Sequence, residues 1–183
     1  MKGTIFVQLL RMIEEEHGLD TLDTVIERVD EHLSTGGAYT SVGTYPHKEL
    51  LDLIGSYASG LSAAQAEGLL DRFAGYIIRE FSRLHPEFFA ETETILDLME
   101  SVESHIHEAV LKLYPEANPP KISCHRLHDN AIKVSYESHR PLGEFALSLT
   151  REGAKLFPQQ ATIDLLQMSD DGCRAEYRLS IAA

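Results

Sequence analysis

Apolar residues recur at helical spacing along the first part of the chain. The recurrence covers residues 5–13 and again residues 22–33, where the turn-forming run at residues 34–37 ends it. Pro46 stands at the predicted start of a further helix, because proline is favoured in the first helical turn. The pattern predicts that the first lobe, from residue 1 to about residue 65, is helical.

The helical periodicity then continues in two longer segments. Ser62 and the three residues after it are typical of a helix cap, which predicts one long helix to about Leu84. Pro86 breaks that pattern, and a further helix is predicted from about residue 92 to residue 113. A Pro-Pro pair at residues 119–120 follows as a stiff connector that excludes regular structure.

Beyond the Pro-Pro pair the pattern changes to that of strands. Two hairpins are predicted, the first from residues 121–127 and 131–138 and the second from residues 162–168 and 174–181. Residues 142–157 between the hairpins keep helical spacing. Helices followed by a four-stranded antiparallel sheet that carries a helix make an α+β fold. We interpret residues 1–183 as a single domain whose α+β lobe runs from about residue 66 to residue 183.

Length and composition exclude several classes of function. The 183 residues are too few for a sensor joined to a catalytic effector domain. No signal peptide or membrane span is recognised, which predicts a cytoplasmic protein that does not act at a membrane. The formal net charge of −13, from 16 basic and 29 acidic residues, argues against a nucleic-acid partner, because phosphate binding needs clustered lysine and arginine.

A phenol, a hydroxyl and a guanidinium occupy alternate positions near the end of the first hairpin: Tyr136, Ser138 and Arg140, called the triad below. The run from residue 134 to residue 140 is typical of a strand, so all three side chains are expected to project from one face of the sheet. They offer several hydrogen-bond donors, and the guanidinium is shaped for bidentate contact with a carboxylate. The triad therefore indicates an anion site; the alternative is an exposed strand face with a tyrosine corner and a surface ion pair.

Two histidines of the helix predicted at residues 92–113 compete for a ligand role. His107 points into a second apolar side of the helix, and His105 lies about 200° around the axis from it, so the two cannot share one metal ion. Periodicity alone does not choose between them. The second side comprises Leu96, Val110, Leu111 and Tyr114, and the main apolar stripe comprises Ile95, Met99, Val102, Ile106 and Leu113.

The triad together with this histidine resembles the haem-nitric oxide/oxygen-binding family, H-NOX, the sensor module also found in soluble guanylate cyclases. In that family the axial haem ligand precedes the tyrosine of a Leu-Tyr-Pro-type segment by seven residues, which selects His107 before Tyr114-Pro115. Weaker matching segments extend the resemblance along nearly the whole chain: Met1-Lys2-Gly3, Gly43-Thr44-Tyr45-Pro46, Phe73-Ala74-Gly75-Tyr76 and Pro119-Pro120.

The resemblance implies a cofactor and a role for each candidate residue. The cofactor is haem b, protoporphyrin IX iron, between the two lobes. His107 is then the axial ligand to iron, and the triad holds the haem propionates. Ile5 and Pro120 match positions that press on the porphyrin and distort it. A neutral imidazole suits ferrous iron and leaves the opposite face open to a gas.

The positions that the resemblance assigns to the gas side are apolar. Relatives that bind oxygen stably carry a tyrosine five residues after the triad arginine, and here that position is Phe145. The other positions predicted to face the gas are Ile5, Leu9, Ile77, Phe81 and Leu149. Bound dioxygen gains from a hydrogen-bond donor, whereas nitric oxide and carbon monoxide need none. We therefore predict a nitric oxide sensor that also binds carbon monoxide and forms no stable oxygen complex.

The resemblance also implies signalling rather than catalysis. Nitric oxide is expected to weaken the bond between iron and His107 and to free the helix that carries it, so that one lobe shifts relative to the other. Stand-alone bacterial relatives regulate a separate histidine kinase or a cyclic-di-GMP enzyme, and either is the expected partner. The alternatives are an oxygen sensor of the same fold and a haem-free interaction module; no catalytic motif is recognised.

Some family members carry a zinc-binding cluster of cysteine and histidine near the end of the chain. Here Gly143 stands near the position where a cysteine is expected, and Cys173 has no obvious partners. Cys124 and His128 would lie roughly 13 Å apart on a strand that rises about 3.3 Å per residue. We therefore expect no structural zinc and two reduced cysteines.

Overall fold

The chain folds into two compact units, Met1–Ile77 and Ile78–Ala183, in a computed structural model that describes residues 1–90 and 92–182. Helices come first and a four-stranded antiparallel sheet follows, so the predicted α+β fold class is confirmed. A division into compact units does not by itself define the lobes of a domain. The single domain with lobes meeting at about residue 65 therefore stays a prediction.

The first unit is built from helices. They are α1 (Gly3–His17), α2 (Leu19–Glu27), α3 (His47–Ser59), α4 (Ala63–Ala66) and the first part of α5 (Leu69–Leu84), with a 3-10 turn at Asp30–His32. Helix α1 contacts both α2 and α3. Phe6, Leu9 and Ile13 of α1 are fully buried, at the spacing of three to four residues that places side chains on one helix face.

The long helix predicted from Ser62 is wrong at its beginning. Ser62 and Gln65 do form a reciprocal capping box, but the helix that they cap, α4, has only four residues. Gly68 then adopts a φ of +68°, and α5 begins at the next residue. A left-handed backbone interrupts a helix, and glycine adopts it readily because it has no Cβ.

The second unit contains the strands. After α5 its elements are α6 (Glu87–Ala90), α7 (Ile95–Ser101), a π-helical segment (Val102–His107), α8 (Glu108–Leu113), β1 (Lys121–His128), β2 (Ala131–Glu137), α9 (Gly143–Ala154), β3 (Ala161–Met168) and β4 (Arg174–Ile181). The strand order is β1-β2-β4-β3, with every neighbouring pair antiparallel. Both predicted hairpins are therefore confirmed.

One face of the sheet forms the core of the second unit. Alternate residues of the two central strands are buried there, namely Ile132, Val134 and Tyr136 of β2 and Ala175, Tyr177 and Leu179 of β4. Helix α9 packs against this face, where the hydroxyl of Thr150 lies 2.8 Å from the phenol oxygen of Tyr177. Because buried and accessible residues alternate along these strands, apolar residues recur at every second position, and the sequence pattern predicted strands there.

The continuous α-helix predicted over residues 92–113 is interrupted. Thr94 and Asp97 form a capping box at the start of α7, and the i→i+5 winding of Val102–His107 then separates α7 from α8. The wider winding changes the angular phase of later residues. Leu113, predicted to end the main apolar stripe, is accordingly 69% exposed.

Within the described residues, no helix combines the length and the hydropathy that a membrane crossing requires.

Candidate functional site

His107 is the last residue of the π-helical segment, and its side chain is only 14% exposed. Its Nδ1 lies 3.1 Å from Oε2 of Glu103. A carboxylate can only accept, so Nδ1 donates and Nε2 is the ring nitrogen left to coordinate a metal. The other candidate, His105, is exposed, with its Nδ1 2.9 Å from the hydroxyl of Ser104.

Glu103 is a functional candidate that sequence reasoning missed. Its Oε2 also accepts the backbone N–H of Ile122 at 3.0 Å, so one carboxylate oxygen joins the histidine to the edge strand β1. Ile122 in turn pairs with Tyr136 of the triad in the sheet register. An acidic residue four positions before a histidine on a helix was the available signal, because side chains at that spacing are neighbours.

The triad departs from the predicted strand geometry. Strand β2 ends at Glu137, so a strand that continues through Arg140 is wrong. The backbone N–H of Ser138 donates to the carbonyl of Cys173 at 2.9 Å, and the N–H of Arg140 donates to the hydroxyl of Ser138 at 3.2 Å. A serine hydroxyl that accepts an N–H two residues later favours a turn over a strand.

The three side chains nevertheless come together. Tyr136 lies in the core of the second unit and is 4% exposed, which contradicts the alternative of an exposed strand face. Burial raises the pKa of its phenol, while a hydrogen bond with Ser138 and the positive charge of Arg140 act in the lowering direction. The buried phenol of Tyr136 is therefore close enough to interact with both the hydroxyl of Ser138 and the guanidinium of Arg140.

The guanidinium of Arg140 has the features of a binding group rather than a completed ion pair. Its Nη1 donates to the carbonyl of Asn118 at 2.8 Å, but its Nε is buried and has no acceptor in the described part of the chain. Burial also lowers the pKa of this guanidinium. A buried N–H without an acceptor is unfavourable, and a carboxylate would supply both an acceptor and a counter-charge. This donor set fits a haem propionate.

Pro120 lies two residues after Asn118, whose carbonyl accepts a hydrogen bond from Arg140. It is partly buried and directly precedes β1, and the hydrogen bond between Arg140 and the carbonyl of Asn118 ties the connector to the triad. The Pro-Pro pair contributes no strand or helix, as predicted.

The positions predicted for the gas side lie in both units. Phe145 and Leu149 are four residues apart on α9, hence on one helix face; Phe145 is buried and Leu149 is partly buried. Phe81 packs in its own aromatic cluster, with ring centroids 5.7 Å from Phe88 and 5.8 Å from Phe89. In the first unit, Leu9 is buried and Ile5 and Ile77 are partly buried.

Residue 143, the position considered above for a zinc-binding cysteine, has little room for any side chain larger than that of glycine. A Cβ at Gly143 would lie 2.7 Å from Sδ of Met168 and 3.0 Å from the carbonyl oxygen of Gly172. Across residues 1–90 and 92–182, no group of three or more histidine, cysteine, aspartate or glutamate side chains is arranged to hold a metal ion. Burial raises the pKa of the Cys124 thiol to about 11, so the thiolate is scarce at neutral pH. The absence of zinc stays a prediction.

Residues 2–165 match the family model HNOB, described as Haem-NO-binding. The chain therefore belongs to the haem-NO-binding, or H-NOX, family, a family of haem-based gas sensors. The resemblance predicted from the triad and the histidine is confirmed. Haem is the cofactor of this family, so the cofactor prediction is confirmed as well. No curated protein matches the chain in sequence.

Solved structures of H-NOX proteins match along the whole chain. The unliganded Fe(II) H-NOX protein from K. algicida is 28% identical, with coverage of 100% of this chain and 97% of that one and a TM-score of 0.89. The H-NOX from Shewanella woodyi, bound to IWP-051 in the Fe(II)CO ligation state, is 36% identical, with coverage of 100% and 95% and a TM-score of 0.81. The S. oneidensis protein in the Fe(II)NO ligation state is 22% identical, covers 100% of both chains and has a TM-score of 0.86, which supports the fold.

Proposed function

We propose that this chain binds nitric oxide at ferrous haem and signals to a separate protein through His107. The observation that carries the proposal is the pairing of two groups in one unit of an H-NOX chain. One is the buried Nε of Arg140, which has no acceptor among residues 1–90 and 92–182, and the other is a largely buried His107 whose ring is held through Nδ1. An anion would give the first group both an acceptor and a counter-charge, and the second group offers a metal ligand.

The triad is proposed to bind the propionates. Arg140 would direct its Nε toward a propionate oxygen, a charge-assisted hydrogen bond that compensates the desolvation of both ions. The hydroxyls of Tyr136 and Ser138 add neutral donors beside it. Ferrous haem, when bound, would supply an iron that His107 could ligate and that could bind a gas.

Phe145 and Leu149 are proposed to favour nitric oxide and carbon monoxide over dioxygen. Neither side chain has a hydroxyl or an N–H, and bound dioxygen is the ligand that gains most from such a donor. The S. woodyi and S. oneidensis relatives in CO and NO ligation states support these two gases as ligands.

His107 is the residue through which we propose that binding becomes a signal. If gas binding weakened the attachment of His107 to a bound haem, its ring would keep the hydrogen bond to Glu103, which in turn holds the N–H of Ile122. A displacement of the π-helical segment would therefore act directly on the edge strand. A histidine kinase or a cyclic-di-GMP enzyme that reads this change is the proposed effector.

The test compares His107→Ala with the matched variant His105→Ala. We expect the first to purify largely without haem, because the protein bond to iron is gone, and the second to retain haem. Absorption spectra report the haem content, and nitric oxide added anaerobically to the ferrous protein should shift the haem band. Equal haem loss in both variants, or loss in His105→Ala alone, would contradict the assignment of His107.

A further inference from the structure

We infer that Glu103 is a positioning residue that sets how firmly His107 would bind haem iron, and hence how easily a bound gas would release it. The inference rests on the proposed function, in which His107 is the axial ligand. It goes further by assigning the strength of that bond to a second residue. The contact that motivates it is the 3.1 Å separation between Nδ1 of His107 and Oε2 of Glu103.

The first argument is chemical. A carboxylate that accepts the Nδ1 proton fixes the neutral tautomer in which Nε2 carries a lone pair, and it orients the ring. It also draws the Nδ1 proton toward itself, which raises the basicity of Nε2. A more basic nitrogen makes a stronger bond to iron, so the hydrogen bond opposes release of His107.

The second argument is that the carboxylate is itself held in place. Oε2 of Glu103 accepts the N–H of Ile122 at 3.0 Å, and that N–H belongs to β1, the edge strand of the sheet. Rotation of Glu103 away from the histidine would break a backbone hydrogen bond as well. Because Ile122 of β1 pairs with Tyr136 of β2, Glu103 also connects the segment that carries His107 to the strand that carries the first residue of the triad.

The local conformation supports this assignment. Glu103 and His107 lie in one π-helical segment, a rare winding that is frequent at functional sites. The next acidic residue, Glu108, instead pairs with Lys112, with Oε1 and Nζ 2.8 Å apart. Glu103 therefore differs from its neighbour by its partner and not by its charge.

Exposure limits the size of the effect. The Glu103 side chain is 51% exposed, whereas that of His107 is 14% exposed, so water competes for the carboxylate and much less for the ring. Removal of such a supporting hydrogen bond typically lowers metal affinity by about 10-fold to 100-fold. We expect the low end of that range, about tenfold faster haem loss.

The experiment uses the haem-loaded ferrous protein with Glu103→Gln, Glu103→Ala and, as the matched control, Glu108→Gln. Resonance Raman spectroscopy reports the iron–histidine stretching frequency, and transfer to an apo-acceptor reports haem loss. Glu103→Gln should lower the frequency, because an amide oxygen accepts more weakly than a carboxylate while still binding the N–H of Ile122. Glu103→Ala should lower it further, and Glu108→Gln should match the wild type.

The outcomes separate this inference from the proposed function. An unchanged frequency in Glu103→Gln would overturn the inference, and so would an equal shift in Glu108→Gln, which would indicate a general charge effect. If Glu103→Ala does not fold, Glu103→Gln alone decides. His107→Ala tests the proposed function separately, since persistence of the iron–histidine band in that variant would overturn the axial assignment itself.

Discussion

At the scale of single residues, Arg140 shows how a binding group differs from a structural one. One nitrogen of its guanidinium is bound to the carbonyl of Asn118, and another is buried without an acceptor in the described part of the chain. A structural arginine normally satisfies its donors within the protein, because an unmade buried hydrogen bond is unfavourable. The unsatisfied nitrogen therefore favours an anionic ligand over a purely structural role.

Arg140→Ala should weaken haem retention more than Ser138→Ala. Loss of the guanidinium leaves a propionate partly desolvated without its counter-ion, whereas a neutral hydroxyl contributes roughly 1 kcal/mol. Ser138 also accepts the N–H of Arg140, so its substitution tests the turn together with the hydroxyl. Rates of haem transfer to an apo-acceptor give the measurement. Wild-type and Arg140→Ala proteins that transfer haem at the same rate would show that the triad is only structural.

Phe145→Tyr should raise the affinity for oxygen. The substitution adds one hydroxyl at a position that is 7% exposed, where a hydrogen bond to partly charged dioxygen contributes on the order of 1 to 3 kcal/mol. That range corresponds to roughly a fivefold to hundredfold change in affinity. Leu149 offers the new hydroxyl no second partner, so a slower oxygen off-rate is the minimum expected change.

Oxygen binding to the ferrous protein is measured by rapid mixing, with carbon monoxide as the control ligand. Carbon monoxide acquires little charge, so its affinity should change much less than that of oxygen. The wild-type protein should bind nitric oxide and carbon monoxide without a stable oxygen complex. A stable oxygen complex in the wild type would favour the oxygen-sensor alternative and contradict the proposed selectivity.

At the scale of elements, the start of α9 depends on one glycine. The N–H of Gly143 donates to the carbonyl of Gly172 at 2.9 Å, and a Cβ would lie only 3.0 Å from that oxygen. Sδ of Met168 is flexible and can move, but the carbonyl is fixed by the turn between β3 and β4. Helix α9, which carries Phe145 and Leu149, can therefore begin this close to the turn only because residue 143 has no side chain.

Gly143→Ala should destabilise the protein by about 1 to 3 kcal/mol, the usual consequence of overpacking. The matched control is Gly55→Ala. Gly55 lies inside α3, and beyond its chain neighbours and its own helix backbone no described atom lies within 4 Å of an added Cβ, so alanine there should be neutral or stabilise by up to about 1 kcal/mol. Chemical denaturation of both variants gives the free energies of unfolding. A Gly143→Ala variant as stable as the wild type would show that the turn yields to a side chain.

At the scale of the whole molecule, the fold and the selectivity depend on different parts of the sequence. The S. oneidensis protein shares 22% of its residues with this chain and still superposes with a TM-score of 0.86. A fold that persists at such divergence is maintained by the burial pattern. A shared fold does not by itself fix gas preference, so the proposed preference for nitric oxide rests on particular side chains such as Phe145.

Much of the fold was determined locally and was predicted from the sequence, which also gave the residues of the candidate site. The first hairpin turns at Asp129-Asn130 and the second at Gly172, whose φ is +66°, because the residues themselves favour these turns. Buried positions recur every three to four residues in α1 and every second residue in β2 and β4. The spacing between a histidine and a Tyr-Pro step, and the triad motif, gave the family.

Tertiary structure decided the features that depend on partners distant in sequence. Strand β2 ends at Glu137, and the N–H of Ser138 donates to the carbonyl of the distant Cys173, although the local pattern predicted that the strand would continue. The link from His107 through Glu103 to Ile122 spans residues far apart in sequence and requires a π-helical winding beside an edge strand. Periodicity reports which side of an element is apolar. It does not report which backbone donor a carboxylate will meet, because that donor is supplied by the folded chain.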